Sequence, residues 1–220
     1  MITLYSGTPG SGKSLHVAEV IYTNLIRGWR YVLCNFDINY DYFKVKRPFS
    51  KKTVNTCKST CISIENRNLN VKLLVDYARA FFKRDGQGRI VEGQALLVID
   101  ECQLFFNSRT WQHEDRSEWI WFFTQHRKFG YDIILVTQFD RLIDRQIRSL
   151  LEYEVVHHDV TKFKFMGKLL RFLTRGSVFT ANRWWYCMKN KKGGKINSQF
   201  FRGKKYYNFY DSYKIFGFFS

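Results

Sequence analysis

Gly7-Thr8-Pro9-Gly10-Ser11-Gly12-Lys13-Ser14 places three glycines, a lysine and a hydroxyl in the spacing G-x-x-x-x-G-K-[ST]. The chemistry open to such a run is phosphate binding. Glycines at 7, 10 and 12 let the backbone wrap an anion with no Cβ in the way. A helix starting beside them adds unpaired N–H groups and partial positive charge. Lys13 would then reach the β- and γ-phosphates of a nucleotide and the Ser14 hydroxyl would hold Mg²⁺, with Thr8, Pro9, Ser11 and Leu15 completing the cradle. A glycine-rich turn that only caps a helix would use the same glycines. Context separates the two readings: the apolar run Met1–Tyr5 precedes the loop, and a helical pattern from Leu15 to Arg27 follows it.

A nucleotide hydrolase also needs an acid at the end of a buried strand. Leu96-Leu97-Val98-Ile99-Asp100-Glu101 supplies two. Asp100 would lie beside Ser14 and hold the cation, and Glu101 could take a proton from an attacking water. The alternative is a turn bearing two solvated acids. Thr137-Gln138 ends the next apolar run, where Gln138 could orient water, or else simply cap a strand. The charge that develops in the transition state calls for a cation, an arginine being worth about 10³–10⁵ in rate. Candidates are Arg127, Arg141, Arg145 and Arg148, and the last three share one face if 140–151 is a single helix. No Asn-Lys-x-Asp guanine signature is present, which favours ATP over GTP.

Periodicity supplies the frame for these residues. Strands are expected at Ile2–Tyr5, Tyr31–Phe36, Ala95–Ile99, Tyr131–Thr137 and Glu154–His157. Helices are expected at Lys13–Arg27, closed by Gly28, and at Val71–Lys83, Ser117–Lys128 and Asp140–Leu151. Such alternation predicts an α/β fold of the P-loop NTPase type, with a mainly parallel central sheet flanked by helices. Residues 44–69 are polar and aperiodic, read as an irregular excursion with a short strand at Cys61–Ile64. Beyond residue 160 a hairpin is expected, one strand over Phe179–Met188 and a turn at Lys191–Lys195, followed by the aromatic run Tyr206–Tyr210.

Charge divides the chain. Of a net +17, residues 160–220 carry +13, with ten Lys and four Arg against Asp211 alone. The expected organisation is therefore an ATPase core at 1–159 and a small basic, β-rich C-terminal appendage at 160–220, suited to an anionic membrane or to single-stranded DNA. A solvated basic face is the plainer alternative. Five cysteines at 34, 57, 61, 102 and 187 show no disulfide or zinc spacing and suit a reducing compartment. His126, His157 and His158 read as structural or surface residues. No signal peptide is read at the N-terminus, and no apolar run approaches the ~20 residues of a membrane span.

Several linked segments resemble the filamentous-phage assembly proteins, the gene I product or Zot family. They are Ser6–Ser14, Leu96–Cys102, Phe106–Trp111, Trp121–Phe123, His126–Ile134 and Tyr207–Asp211. The resemblance implies a DNA-pump type of ATPase related to the FtsK–HerA class, acting in the host bacterial cytoplasm at the inner membrane during phage extrusion. It assigns nucleotide and Mg²⁺ roles to Lys13, Ser14 and Asp100 and a catalytic role to Glu101. It also implies self-association into a ring, a hexamer by analogy with such pumps, and partners among phage coat protein, single-stranded DNA-binding protein and single-stranded DNA. Typical members continue into a transmembrane helix and a periplasmic segment, which this sequence lacks, so it reads either as the cytoplasmic part of such a protein or as a short member that needs a membrane-anchoring partner. Two other readings stay open: a nucleotide-gated scaffold without turnover, and a pump for double-stranded DNA.

Overall fold

A computed structural model describes residues 1–46, 53–107, 113–162, 177–189 and 191–210. The chain runs β1 (Ile2–Ser6), α1 (Lys13–Arg27), β2 (Tyr31–Cys34), β3 (Lys44–Lys46), β4 (Thr53–Asn55), β5 (Cys61–Ser63), α2 (Val71–Phe81) and β6 (Ala95–Ile99). It continues through α3 (Gln103–Phe106), α4 (His113–Gln125), β7 (Tyr131–Val136), α5 (Arg145–Ser149), β8 (Tyr153–Asp159), β9 (Phe179–Trp185) and β10 (Lys195–Phe201).

Eight strands form one sheet in the order β10-β9-β8-β1-β7-β6-β2-β5. The six from β8 to β5 are parallel, and β9 and β10 add antiparallel at one edge. Parallel strands are covered on both faces. Along β6, Ala95, Leu97 and Ile99 face a core shared with Leu74, Ala78, Trp119, Phe122 and Phe123, while Leu96 and Val98 face Val17, Ile21 and Leu25 of α1. β1 lies at the centre, so every loop leaving the carboxyl ends of its neighbours falls close to residues 7–14. No helix among the described residues is long and apolar enough to cross a membrane.

Three expectations need correction. Residues 44–55 include a small exposed hairpin, β3 with β4, in place of wholly irregular chain. The helix expected over Asp140–Leu151 is broken. A 3₁₀ turn at Asp140–Leu142 gives way to extended Ile143, and Asp144 caps α5 by accepting from the Gln146 N–H at 2.8 Å. Arg141 therefore does not share a helix with Arg145 and Arg148. The strand expected through Met188 ends at Trp185 and becomes a 3₁₀ turn.

The charge boundary at 159/160 falls between two paired strands. β9 pairs with β8 over seven residues, and Phe179, Ala181, Phe201, Tyr206, Phe209 and Tyr210 join the core around α1. Phe163, Phe165, Phe172, Asp211 and Ile215–Phe219 lie outside the described residues, as do residues 108–111 of the Phe106–Trp111 segment.

Candidate nucleotide site

β1 delivers the loop and α1 receives it. Gly7, Gly10 and Gly12 have φ of 145°, 71° and 94°, in the range that favours glycine. A Cβ at Gly12 would come within 2.6 Å of the Phe179 ring, so the close approach also demands glycine there. The Gly7 N–H donates to the Gln138 carbonyl at 3.2 Å, which ties the loop to the end of β7. Gly12 caps α1 without a side-chain bond, so the first-turn amides point out with no capping acceptor. Lys13 is folded across the loop, donating to the Gly7 carbonyl at 2.6 Å and the Thr8 carbonyl at 3.2 Å. Burial lowers its pKa, opposed by the nearby Glu101 and Asp100 carboxylates.

β6 delivers the acids. Asn35, just past β2, grips the Asp100 backbone from both sides: Asp100 N–H donates to Asn35 Oδ1 at 2.7 Å, and Asn35 Nδ2 donates to the Asp100 carbonyl at 3.0 Å. Asp100 Oδ1 accepts from the Glu101 N–H at 2.9 Å, and Oδ2 accepts from the Tyr210 hydroxyl at 3.2 Å. Burial, reinforced by Glu101, pushes the Asp100 carboxyl up to about 6. Glu101 has φ 48°, and no other described non-glycine residue has a positive φ. Holding a side chain there costs about 1–3 kcal/mol, and the Glu101 carboxylate is exposed. Its Oε2 accepts from the Gln103 amide.

The cavity beside the loop, about 450 Å³, is lined by Gly10–Leu15 together with Asp159, Lys162, Phe179, Tyr206, Tyr207 and Tyr210. Thr8 and Pro9 are exposed at the tip. The structure thus brings Lys13, Ser14, Asp100 and Glu101 together. Gln138 reaches the loop through its carbonyl, and it also lines a second cavity with Ser6, Glu154 and His157. Arg127 is not brought in. It lies at the opposite end of the sheet, where Asp132 holds the N-terminal amine at 2.8 Å, and is ion-paired to Glu152 at 2.9 Å. His157 is packed behind the loop against His16, Nε2 to Nδ1 at 2.8 Å, and burial depresses both, to about 3 and about 4.

Two site residues escaped sequence reasoning. Asn35 carried a usable signal, a polar residue among apolar neighbours at the end of a buried strand, as Asp100 does. Tyr210 carried none by spacing, being 110 residues from Asp100.

These residues fit a Mg²⁺-bound nucleoside triphosphate. The Ser11 hydroxyl is buried with no hydrogen-bond partner, facing Gly7 across the loop. The first-turn amides lack a cap, and the glycine cradle excludes any Cβ. Lys13 and Lys162 supply cations for phosphate, and Ser14 and Asp100 supply the hard oxygen donors that Mg²⁺ takes.

Residues 1–174 match the family model "Zonular occludens toxin (Zot)". The Gene 1 protein of Enterobacteria phage M13 is 32% identical over 127 residues, 55% of this chain and 36% of that protein, so the chain spans about a third of this relative's length. The N-terminal domain of zonular occludens toxin from Neisseria meningitidis superimposes with a TM-score of 0.53 at 17% identity, covering 96% of this chain and 98% of that one. The genome packaging NTPase B204 of Sulfolobus turreted icosahedral virus 2, solved with AMPPCP, superimposes with a TM-score of 0.50 at 13% identity, covering 92% and 96%. With its loop, strand-end acids and parallel sheet in place, the chain belongs to the Zot family.

Proposed function

We propose that this chain is the ATP-hydrolysing motor of filamentous phage assembly and extrusion, working at the cytoplasmic face of the host inner membrane. The observation that carries the reading is the convergence of Lys13, Ser14, Asp100 and Glu101 at one edge of the sheet, from segments nearly ninety residues apart. Mg²⁺, when bound, would neutralise charge on the β- and γ-phosphates. Ser14 and Asp100 would hold it, and the loop amides, with Lys13 released from the Gly7 and Thr8 carbonyls, would bind and orient the triphosphate. The exposed Glu101 carboxylate, one oxygen of which accepts from Gln103, would take the proton of an attacking water, a task that binding alone would not require.

The test is turnover by purified protein, with and without single-stranded DNA, beside Glu101→Gln. The amide keeps shape and loses basicity, so the variant should bind ATP with Mg²⁺ and hydrolyse it at least 10²-fold more slowly, the lower end of what a general base contributes. Wild-type turnover in the variant would move the base elsewhere; no turnover in the wild type would favour a nucleotide-gated scaffold.

Arg127 lies far from the loop of its own chain, which supports a site completed by a neighbouring copy in a ring. Mixing a Lys13-deficient subunit with one lacking Arg127, Arg141, Arg145 or Arg148 should partly restore turnover. Failure for all four would count against sharing. The basic end carries exposed Lys191, Lys192 and Lys195 beside exposed Phe200 and Trp185, a surface suited to anionic lipid or single-stranded DNA. Flotation with anionic liposomes, beside a salt-dependent single-stranded DNA titration, separates the two.

A further inference from the structure

We propose that Tyr210 is a positioning residue of the cation site, orienting Asp100 from the far end of the described chain; the inference rests on the nucleotide reading above. The Tyr210 hydroxyl donates to Asp100 Oδ2 at 3.2 Å, and Tyr210 and Ser14 line the same cavity. One phenol therefore holds the acid assigned to the cation, on the wall that also carries Ser14.

The placement is built. The Tyr210 ring stacks on Phe36 with centroids 4.2 Å apart. The preceding residues are pinned in turn: the Asn39 N–H donates to the Phe209 carbonyl at 2.7 Å, and the Asn208 N–H donates to the Tyr42 hydroxyl at 3.2 Å. At Gly203 even a Cβ would strike the Leu15 side chain, so the start of this segment lies directly on α1. Phe36 and Asn35 are adjacent, and Asn35 grips the Asp100 backbone. One turn after β2 thus seats both the acid and the phenol that bonds it.

A carboxylate has about four lone-pair sites. With Oδ1 on the Glu101 N–H and Oδ2 on Tyr210, Asp100 keeps further lone pairs for a cation, and its rotation is fixed. Hydrogen-bond partners of metal-ligating carboxylates typically contribute 10–100-fold in metal affinity.

The experiment is Tyr210→Phe, which keeps the ring stack and deletes the hydroxyl. Affinity for ATP is titrated across Mg²⁺ concentrations and again in EDTA. The expected result is a rise of about tenfold or more in half-saturating Mg²⁺, with metal-free affinity within about threefold of wild type. A folded variant whose half-saturating Mg²⁺ changes by less than about threefold, or falls, overturns the proposal; so does an equal loss with and without metal, the mark of a purely structural residue. If the variant does not fold, hydrogen exchange on the wild type decides. Adding Mg²⁺ to ATP-bound protein should slow exchange at residues 206–210, and no change there refutes the assignment. Failure of the wild type to bind ATP at all would instead refute the nucleotide reading, and this inference with it.

Discussion

Replacing Asp100 by Asn should make the ligand-free protein more stable while removing its cation site. The carboxyl sits near 6 in the folded chain, against an ordinary value of 3.8. A folded-state value above the unfolded one means that the native state binds more protons between those limits. Stability from this group is then full below about pH 4, falls as pH rises through 6, and stays low above it. The gap of about 2 units at 1.36 kcal/mol each gives a cost of about 3 kcal/mol for holding the carboxylate at pH 8. Two features of the site reduce what Asn recovers. The side chain is partly exposed, and Asn offers one acceptor where Asp100 offers two, so with the Glu101 N–H kept on the amide oxygen the Tyr210 hydroxyl must turn from donor to acceptor of the amide NH₂, costing up to about 1 kcal/mol. The net expectation is a gain of about 1–2 kcal/mol at pH 8 that shrinks toward zero or below by pH 4. Urea unfolding of both proteins at pH 8, 6 and 4.5, without nucleotide, measures it. A variant less stable than wild type at pH 8, or a difference that does not change with pH, would refute the argument that burial of the charge dominates. The same variant should lose the Mg²⁺-dependent part of ATP binding.

Other outcomes follow from the same geometry. Lys13→Ala should weaken ATP binding at least 10²-fold by direct titration, and should speed hydrogen exchange at Gly7–Gly10, because the ammonium also bonds the loop carbonyls. Gly12→Ala meets both an unfavourable φ and the Phe179 ring, and should cost about 2–4 kcal/mol in urea unfolding. Adding Phe179→Leu to it should recover part of that loss, and strict additivity of the two changes would exclude the clash. His16 and His157 are held well below their ordinary value of 6.5, so their contribution is present above pH 6.5 and erodes as pH falls through 4 and 3. His157→Asn should flatten the acid limb of the stability profile in a pH series of melts.

Much of the frame was legible because burial on both faces leaves a plain mark. Ala95–Ile99 and Tyr131–Val136 are continuous apolar runs, and Lys13–Arg27 has its apolar stripe and its Gly28 stop, observed at φ 66°. The half of the site next to those elements was legible too, since Lys13 follows a strand and Asp100 ends one. What periodicity missed has physical causes. Asp144 ends the run that looked helical because its side chain caps the next helix instead of continuing the first, so Arg141 parts from Arg145. The 44–55 hairpin is exposed, with no buried face to leave an alternating pattern. Arg127 looked available by type alone, but only the ion pair that the turn after α4 makes with Glu152 reveals which end of the sheet it occupies. Tyr210 and Phe179 act through long-range packing, which no local spacing records.

The central position of β1 sets a timetable for synthesis. Ile2–Tyr5 pair with Ile133–Val136, and Thr3–Ser6 with Tyr153–Val156. At about 5–20 residues per second, the strand bearing the phosphate loop waits on the order of ten seconds before either neighbour leaves the ribosome. Until then its apolar residues have no sheet to join, and the growing chain has no assembled loop with which to capture a nucleotide. Tyr210 arrives later still. During that interval the unpaired apolar strand is the part of the nascent chain most open to aggregation.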